Sequence, residues 1–258
     1  MKKEVLKSNS DLGIAVDPDV DRLVFVSENG ETISEENTLI SCADYILSKE
    51  NGLIKGFTRF TRKKGNSLTA LDHISFDWKS RDKDGLGFLN FDLIKSSKDP
   101  NHSFLFELIK ASVSELCIKC MPLWQKNIEI YDTVKSLLNP GRFDEEYICL
   151  RYAWWEFLFL KNIGYGLNLN QCAVSGSFEN IYYISPKSGN SVSYNVGKKY
   201  EKKLFKIPKC FKNADEKNNL NDSIEGLEIT GYFLKKNFEK RISKLVFRDE
   251  LIKKIRRT

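Results

Sequence analysis

Within "DLGIAVDPDVDRLVFVSENGE" three aspartates, Asp17, Asp19 and Asp21, stand at alternate positions, and Arg22 follows them. Carboxylates so spaced in a tight turn can converge on one hard cation, because magnesium takes oxygen ligands in a compact octahedron. The calcium helix–loop–helix pattern fits poorly: its sixth position requires glycine, and here that position is Arg22. Three aspartates alone hold magnesium weakly, since the ion completes its shell with water and substrate phosphates. The bland reading is a solvated turn.

A second candidate is "NGLIKGFTRFTRKKGNSL", which carries Lys55, Arg59, Arg62, Lys63 and Lys64 without an acid among them. Phe57 and Phe60 are interleaved, and Phe76, Trp78, Phe88 and Phe91 follow. Cations that track a phosphate backbone beside aromatic faces are what single-strand binding needs. The competing reading puts the rings in a core and the cations in solvent. Among six cysteines, Cys117 and Cys120 form a lone C-x-x-C inside an apolar-periodic segment. A four-ligand zinc site needs a second pair, so reduced, buried thiols are expected.

Charge is informative once divided. Residues 1–50 hold 5 Lys/Arg against 11 Asp/Glu, whereas residues 51–258 hold 36 against 24. An acidic head on a basic body points to an anionic partner for the body, nucleic acid first, with a lysine-rich solvated surface as the alternative. A 41% apolar, 12% aromatic composition is that of a folded chain. No apolar run reaches the roughly 20 residues of a membrane span, and no signal-peptide core follows the N-terminal lysines, so a cytoplasmic protein with no membrane association is expected.

The elements that must position these residues fall into three textures. "LGIAV" and "RLVFVSENGE" read as two strands, the first apolar throughout as in a buried parallel sheet. "SEENTLISCADYILSKENG" reads as a helix, with Ser34 as N-cap and Gly52 at its end. "HISFDWKS" and "LGFLNFDLIK" flank "RDKDG" as a hairpin of a small antiparallel sheet. Helices are predicted over about 103–120, from Pro122 to Leu138, and along "DEEYICLRYAWWEFLFLKNIG" to Gly164. The last is apolar on most faces and should be the buried centre of a bundle. A loop- and hairpin-rich stretch at 172–208 and helices near 221–238 and 248–256 complete the chain.

Two resemblances follow from these motifs. "DLGIAVDPDVDRLVFVSENGETISEENTL", within residues 4–48, resembles the metal loop of the α-D-phosphohexomutase family (phosphomannomutase and phosphoglucomutase). By that resemblance Asp17, Asp19 and Asp21 match three magnesium ligands, a weak remnant, because the phosphoserine loop, sugar loop and phosphate-binding domain are missing. Residues 48–258 are similar to the bacterial recombination mediator family RecO, through "SKENGLIKGFTR", "GYGLNLNQCAVSG", "YISPKSGNSVS" and "ITGYFL" in order.

The second resemblance implies an α+β chain. A head (1–50) precedes an oligonucleotide-binding barrel (51–100) and a helical domain (101–258) with its hairpin module at 172–208. A family member opens with about two barrel strands where this chain carries the mutase-like piece. The barrel is complete or incomplete according to whether "LGIAV" and "RLVFV" pair with its open edge. The implied activity, in DNA repair and recombination, is binding and annealing single-stranded DNA. RecR and the single-strand-binding protein would be partners, and RecA an indirect one, at the nucleoid. No catalytic residue or cofactor is implied, and Lys55, Arg59, Arg62, Lys63 and Lys64 match the family's basic barrel loop. Many relatives carry a four-cysteine zinc site in the hairpin module. Here Cys172 stands at its first position, Ser175 at the second, and the later pair is absent, so no metal is expected. The alternatives are a magnesium-dependent mutase fragment and a non-functional composite of the two pieces.

Overall fold

The structure, a computed structural model, describes residues 2–8, 12–16, 23–27, 32–33, 43–58, 69–79, 87–97, 102–139, 144–212, 219–239, 242 and 244–257. They divide into two compact units, one of residues 1–46 and 55–96, the other of 47–54 and 97–258.

In the first unit, helix α1 (Lys2–Ser8) precedes strands β1 (Leu12–Val16), β2 (Leu23–Ser27) and β3 (Thr32–Ile33), which form an antiparallel sheet in that order. β1 therefore does not run parallel to a neighbour, as its apolar run suggested. Its register, Leu12 opposite Ser27 through Val16 opposite Leu23, is that of a hairpin. A run of apolar residues reports burial, not strand direction.

A second sheet has the order β4-β5-β7-β6, with β4 (Ala43–Ser48), β5 (Gly52–Thr58), β6 (His73–Lys79) and β7 (Gly87–Lys95). β5 lies parallel to β7, and β6 returns antiparallel to β7 as the "RDKDG" signal predicts. Among the described residues this sheet is not closed into a barrel, and the strands of the head pair with one another rather than with its edge. Residues 43–48 correct the helix expected over 34–52, whose earlier part lies outside the described residues. "ADYILS" is β-prone through Tyr45 and Ile46, and pairing in the sheet overrides a helical periodicity that was spread thinly over the segment.

In the second unit Gly52 turns the chain rather than ending a helix. Its φ is +72°, and a Cβ there would sit 1.8 Å from the Gln125 carbonyl oxygen, so only glycine fits. Leu53, buried, bridges to Leu123, and the Trp124 N–H donates to the Leu53 carbonyl at 2.9 Å.

Helices α2 (Phe104–Cys120), α3 (Ile128–Leu138) and α4 (Glu145–Leu160) follow. Each is capped by its own side chain: Ser103, Asn127 and Asp144 accept from the N–H three residues on. α3 therefore starts later than Pro122. Asn127 accepts from the Ile130 N–H at 3.0 Å while donating to the Asn162 carbonyl at 3.0 Å, and this fixes the first turn. α4 buries Ile148, Cys149, Tyr152, Trp155, Phe159 and Leu160 and is the central helix predicted. It relaxes into a π-type turn at Lys161–Tyr165, where Gly164 takes a positive φ, near its expected place as terminator.

The hairpin module holds β8 (Ile181–Ile184), β9 (Ser191–Ser193), helix α5 (Tyr194–Gly197), a 3₁₀ turn (Lys198–Lys203) and β10 (Phe205–Lys206). Its sheet has the order β10-β8-β9 over a small core of Cys172, Tyr183 and Val192. Helices α6 (Leu220–Phe238) and α7 (Val246–Ile255) end the chain near the predicted positions.

α6 carries a capping box, Asn219 with Asp222. α7 has no such local partner. Its N-terminal amides are taken by Glu115 of α2: Oε1 accepts from Val246 N–H at 2.8 Å, and Oε2 from Phe247 and Arg248 N–H at 3.0 and 3.2 Å. A carboxylate there satisfies three orphan donors and faces the positive end of the helix dipole. One turn in, buried Arg248 donates through Nε to Glu156 Oε1 of α4 at 2.7 Å, and its Nη2 donates to the Leu227 carbonyl and Thr230 Oγ1 of α6. Gly231 leaves room for the guanidinium, because a Cβ would lie 2.8 Å from Nη1.

Removing one partner of such a pair strands a buried charge. Arg248→Ala is expected to cost about 3–5 kcal/mol, measured by denaturant unfolding. Glu156→Leu with Arg248→Met is expected to recover most of that loss, and a double variant as unstable as Arg248→Ala would contradict the pairing.

Candidate nucleic-acid interface

The alternation of β6 sorts the aromatic residues that the sequence singles out. Ile74, Phe76 and Trp78 are half-buried while Ser75, Asp77 and Lys79 between them are exposed. Across the hairpin, Phe76 stands opposite Phe91 and Trp78 opposite Leu89, which place Phe91 on the same inner face. For Phe76, Trp78 and Phe91 the core reading therefore holds. Phe88 is the exception, with 49% of its surface exposed.

Register places Phe88 in a row. β5 aligns Phe57 with it on one side, and β6 aligns the exposed Lys79 with it on the other. Lys55 lies on β5 two positions before Phe57, and β5 ends at Thr58, the residue aligned with Leu89. The run Arg59, Arg62, Lys63 and Lys64 follows that strand end in sequence and lies outside the described residues. The same exposed face also carries Asp77, opposite Asn90, and Asp92, opposite Ser75. Lys79 and Phe88 thus meet at one end of the β6–β7 pair, with Asp77 and Asp92 along its middle and His73 opposite Lys95 at its other end. Phe88 and Lys79 were not read as a pair from sequence; the period of two around the turn was the signal available.

The aspartates Asp17, Asp19 and Asp21 also lie outside the described residues, between β1 and β2. Among the described residues no three His, Cys, Asp or Glu side chains cluster closely enough to hold a metal. No helix among them is long and apolar enough to cross a membrane.

Cys172 is chemically distinct from Cys117, Cys149 and Cys210. Burial pushes Cys117, Cys149 and Cys210 up to about 12. Burial acts on Cys172 in the same direction, but hydrogen bonds from Ser175 and Ser193 outweigh it and bring the thiol from 9.0 down to about 6. The Ser175 N–H donates to Cys172 Sγ at 3.4 Å, inside a turn closed by Gly176 N–H to the Cys172 carbonyl at 2.9 Å. Ser175 thus solvates the sulfur with its backbone.

Comparison with known proteins gives the chain its relatives. The family model "Recombination protein O C terminal" matches residues 108–245. A protein of Ehrlichia chaffeensis named DNA repair protein RecO is 31% identical over 224 residues, covering 81% of this chain and 89% of the relative. The protein of that name from Wolbachia pipientis subsp. Culex pipiens is 31% identical over 212 residues, covering 78% and 84%. One from Rickettsia bellii is 27% identical over 201 residues, covering 77% and 81%. None of these three is a phosphohexomutase, and the mutase-like reading of residues 4–48 gains no support from them.

The lowered Cys172 pKa has a measurable sign. The folded state favours the thiolate, so this stabilisation is complete above pH 9 and lost as pH falls through about 6. Ultraviolet thiolate absorbance is expected to rise near pH 6 by one thiol, and Cys172→Ser should abolish the step. A step that survives the substitution would contradict the assignment.

Proposed function

The chain belongs to the RecO family of DNA repair proteins, and on that premise we propose that it is a recombination mediator that binds and anneals single-stranded DNA. The observation that carries this reading is the row Phe57, Phe88 and Lys79 set by strand register, with the acid-free run Arg59, Arg62, Lys63 and Lys64 next in sequence after β5. Cations there take the phosphates of a single strand, and an exposed phenylalanine offers a stacking face that every base can use. The half-buried Phe76, Trp78 and Phe91 hold the sheet that presents it. Lys55, on β5 itself, is the first cation of the run in sequence.

The protein has no catalytic step of its own and uses no cofactor. It works in the cytoplasm on the nucleoid, with RecR and the single-strand-binding protein, and prepares the strand for RecA. The division of charge supports this reading: residues 51–258 are basic by 36 Lys/Arg to 24 Asp/Glu, whereas the head is acidic. The excess is thereby concentrated on the part of the chain that resembles the family.

Reversing Arg59, Arg62 and Lys64 to glutamate together should weaken binding to a thymidine oligomer. It should also reduce the slope of log affinity against log salt by about 2, at roughly 0.7 per phosphate contact on a single strand. Equal affinity and slope for variant and parent would overturn the assignment of that loop.

A further inference from the structure

The hairpin module holds a feature that the basic loop does not account for. Between the 3₁₀ turn Lys198–Lys203 and the loop after Cys172 lies a concavity of about 490 Å³, floored by Val196 and Leu204 and walled by Val174, Tyr200, Lys199 and Lys203. Tyr200 is 52% exposed and Val174 70%. Apolar side chains so exposed, beside one another on a small module, mark a contact surface. The Lys199 ammonium sits 5.1 Å from the Tyr200 ring centroid, so ring and cation are already paired at the mouth.

The surroundings select the occupant. The segment 198–209 carries six lysines, at 198, 199, 202, 203, 206 and 209, against the single acid Glu201 and no arginine. Lysine meets a phosphate as a point charge, whereas a carboxylate-bearing peptide is best held by the bidentate fork of arginine. A tyrosine face over aliphatic walls accommodates a flat base. The rim is held in place: Lys236 of α6 donates to the carbonyls of Pro186 and Lys187 at 2.8 and 2.6 Å, anchoring the turn that carries Ser188 to the concavity.

We propose that this concavity is a second single-strand contact of the protein, in which one base lies against Tyr200 and Val174 and its flanking phosphates meet Lys199 and Lys203. The proposal rests on the single-strand binding reading above and adds a site in the second unit, separate in sequence from residues 55–64. It gives the exposed tyrosine a purpose that packing does not, since the buried core of the module is made by Cys172, Tyr183 and Val192 without it.

The test uses the full chain and a thymidine oligomer substituted with 5-iododeoxyuridine, photo-crosslinked, digested and mapped by mass spectrometry. An adduct on Tyr200 is expected in addition to adducts within residues 55–64. Tyr200→Ala should weaken binding about fivefold or more, the loss of one stacked base, while Tyr200→Phe keeps parent affinity. Lys199→Glu with Lys203→Glu should reduce the salt slope by about 1.4, the share of two phosphates. Adducts confined to residues 55–64, with parent affinity in all three variants, would overturn the second contact and leave the proposed function standing. Absence of any binding by the parent chain would overturn both. Binding of a polyglutamate peptide that Lys199→Glu with Lys203→Glu abolishes, with oligomer binding unaltered, would give the concavity to an acidic peptide and overturn the proposal as well.

Discussion

Arg248 carries its charge into the interior of the helical unit, and the arrangement of four helices follows from making that tolerable. An isolated buried guanidinium is strongly disfavoured. Here Glu156 of α4 pairs with its Nε, Leu227 and Thr230 of α6 accept from its Nη2, and Gly231 stays small so that it fits. Glu115 of α2 then takes the amides of the turn on which Arg248 rides. Lys119 completes the set, donating to Glu115 at 3.0 Å. Burial pushes the Glu156 carboxyl up even beside Arg248, and it pushes the Tyr152 hydroxyl up as well. That hydroxyl lies 2.6 Å from Ser112 of α2, extending the polar chain to the first helix of the unit. A network of this kind contributes register more than raw stability, because each partner is directional and sits on a different element. The family match, from residue 108 to residue 245, contains both carboxylates.

The hairpin module meets the opposite problem, a core too small to be stable from apolar area alone. Its own buried cluster is Cys172, Tyr183 and Val192, and it is tied down by backbone bonds, such as Ala173 N–H to the Ser191 carbonyl at 2.9 Å. The turn at Cys172 solvates its sulfur with serine donors, and the module is anchored on α6 through Lys236. Its lysines are left on the surface beside exposed rings. Surface charges reach only about 8–10 Å through physiological salt, so cations placed this way act on a strand only where it touches them.

Much of this order was legible in the sequence, for identifiable reasons. The α4 segment is apolar around its whole circumference, and only a central position can bury such a helix. The β6–β7 hairpin was announced by turn residues between two alternating runs, whose period of two separates inner from outer rings once register is known. Other features depend on partners remote in sequence. The strand at 43–48 is a strand because a sheet accepts it, and the late start of α3 follows from Asn127 meeting Asn162. The cap of α7 lies 131 residues away from the helix it caps, so no local pattern could announce it. The site was legible as composition, an acid-free cation run with aromatics. Which ring faces solvent came only from pairing, and the Tyr200 concavity came from a fold of the module that no periodicity describes.

The central claim is that this chain holds a single strand through its phosphates and bases. The most direct measurement titrates the parent protein with a fluorescent thymidine oligomer at two salt concentrations, alongside a duplex of equal length. The account predicts binding that favours the single strand and weakens on raising the salt, with a slope reporting several phosphate contacts. An affinity indifferent to salt, or no preference for the single strand over the duplex, would contradict it.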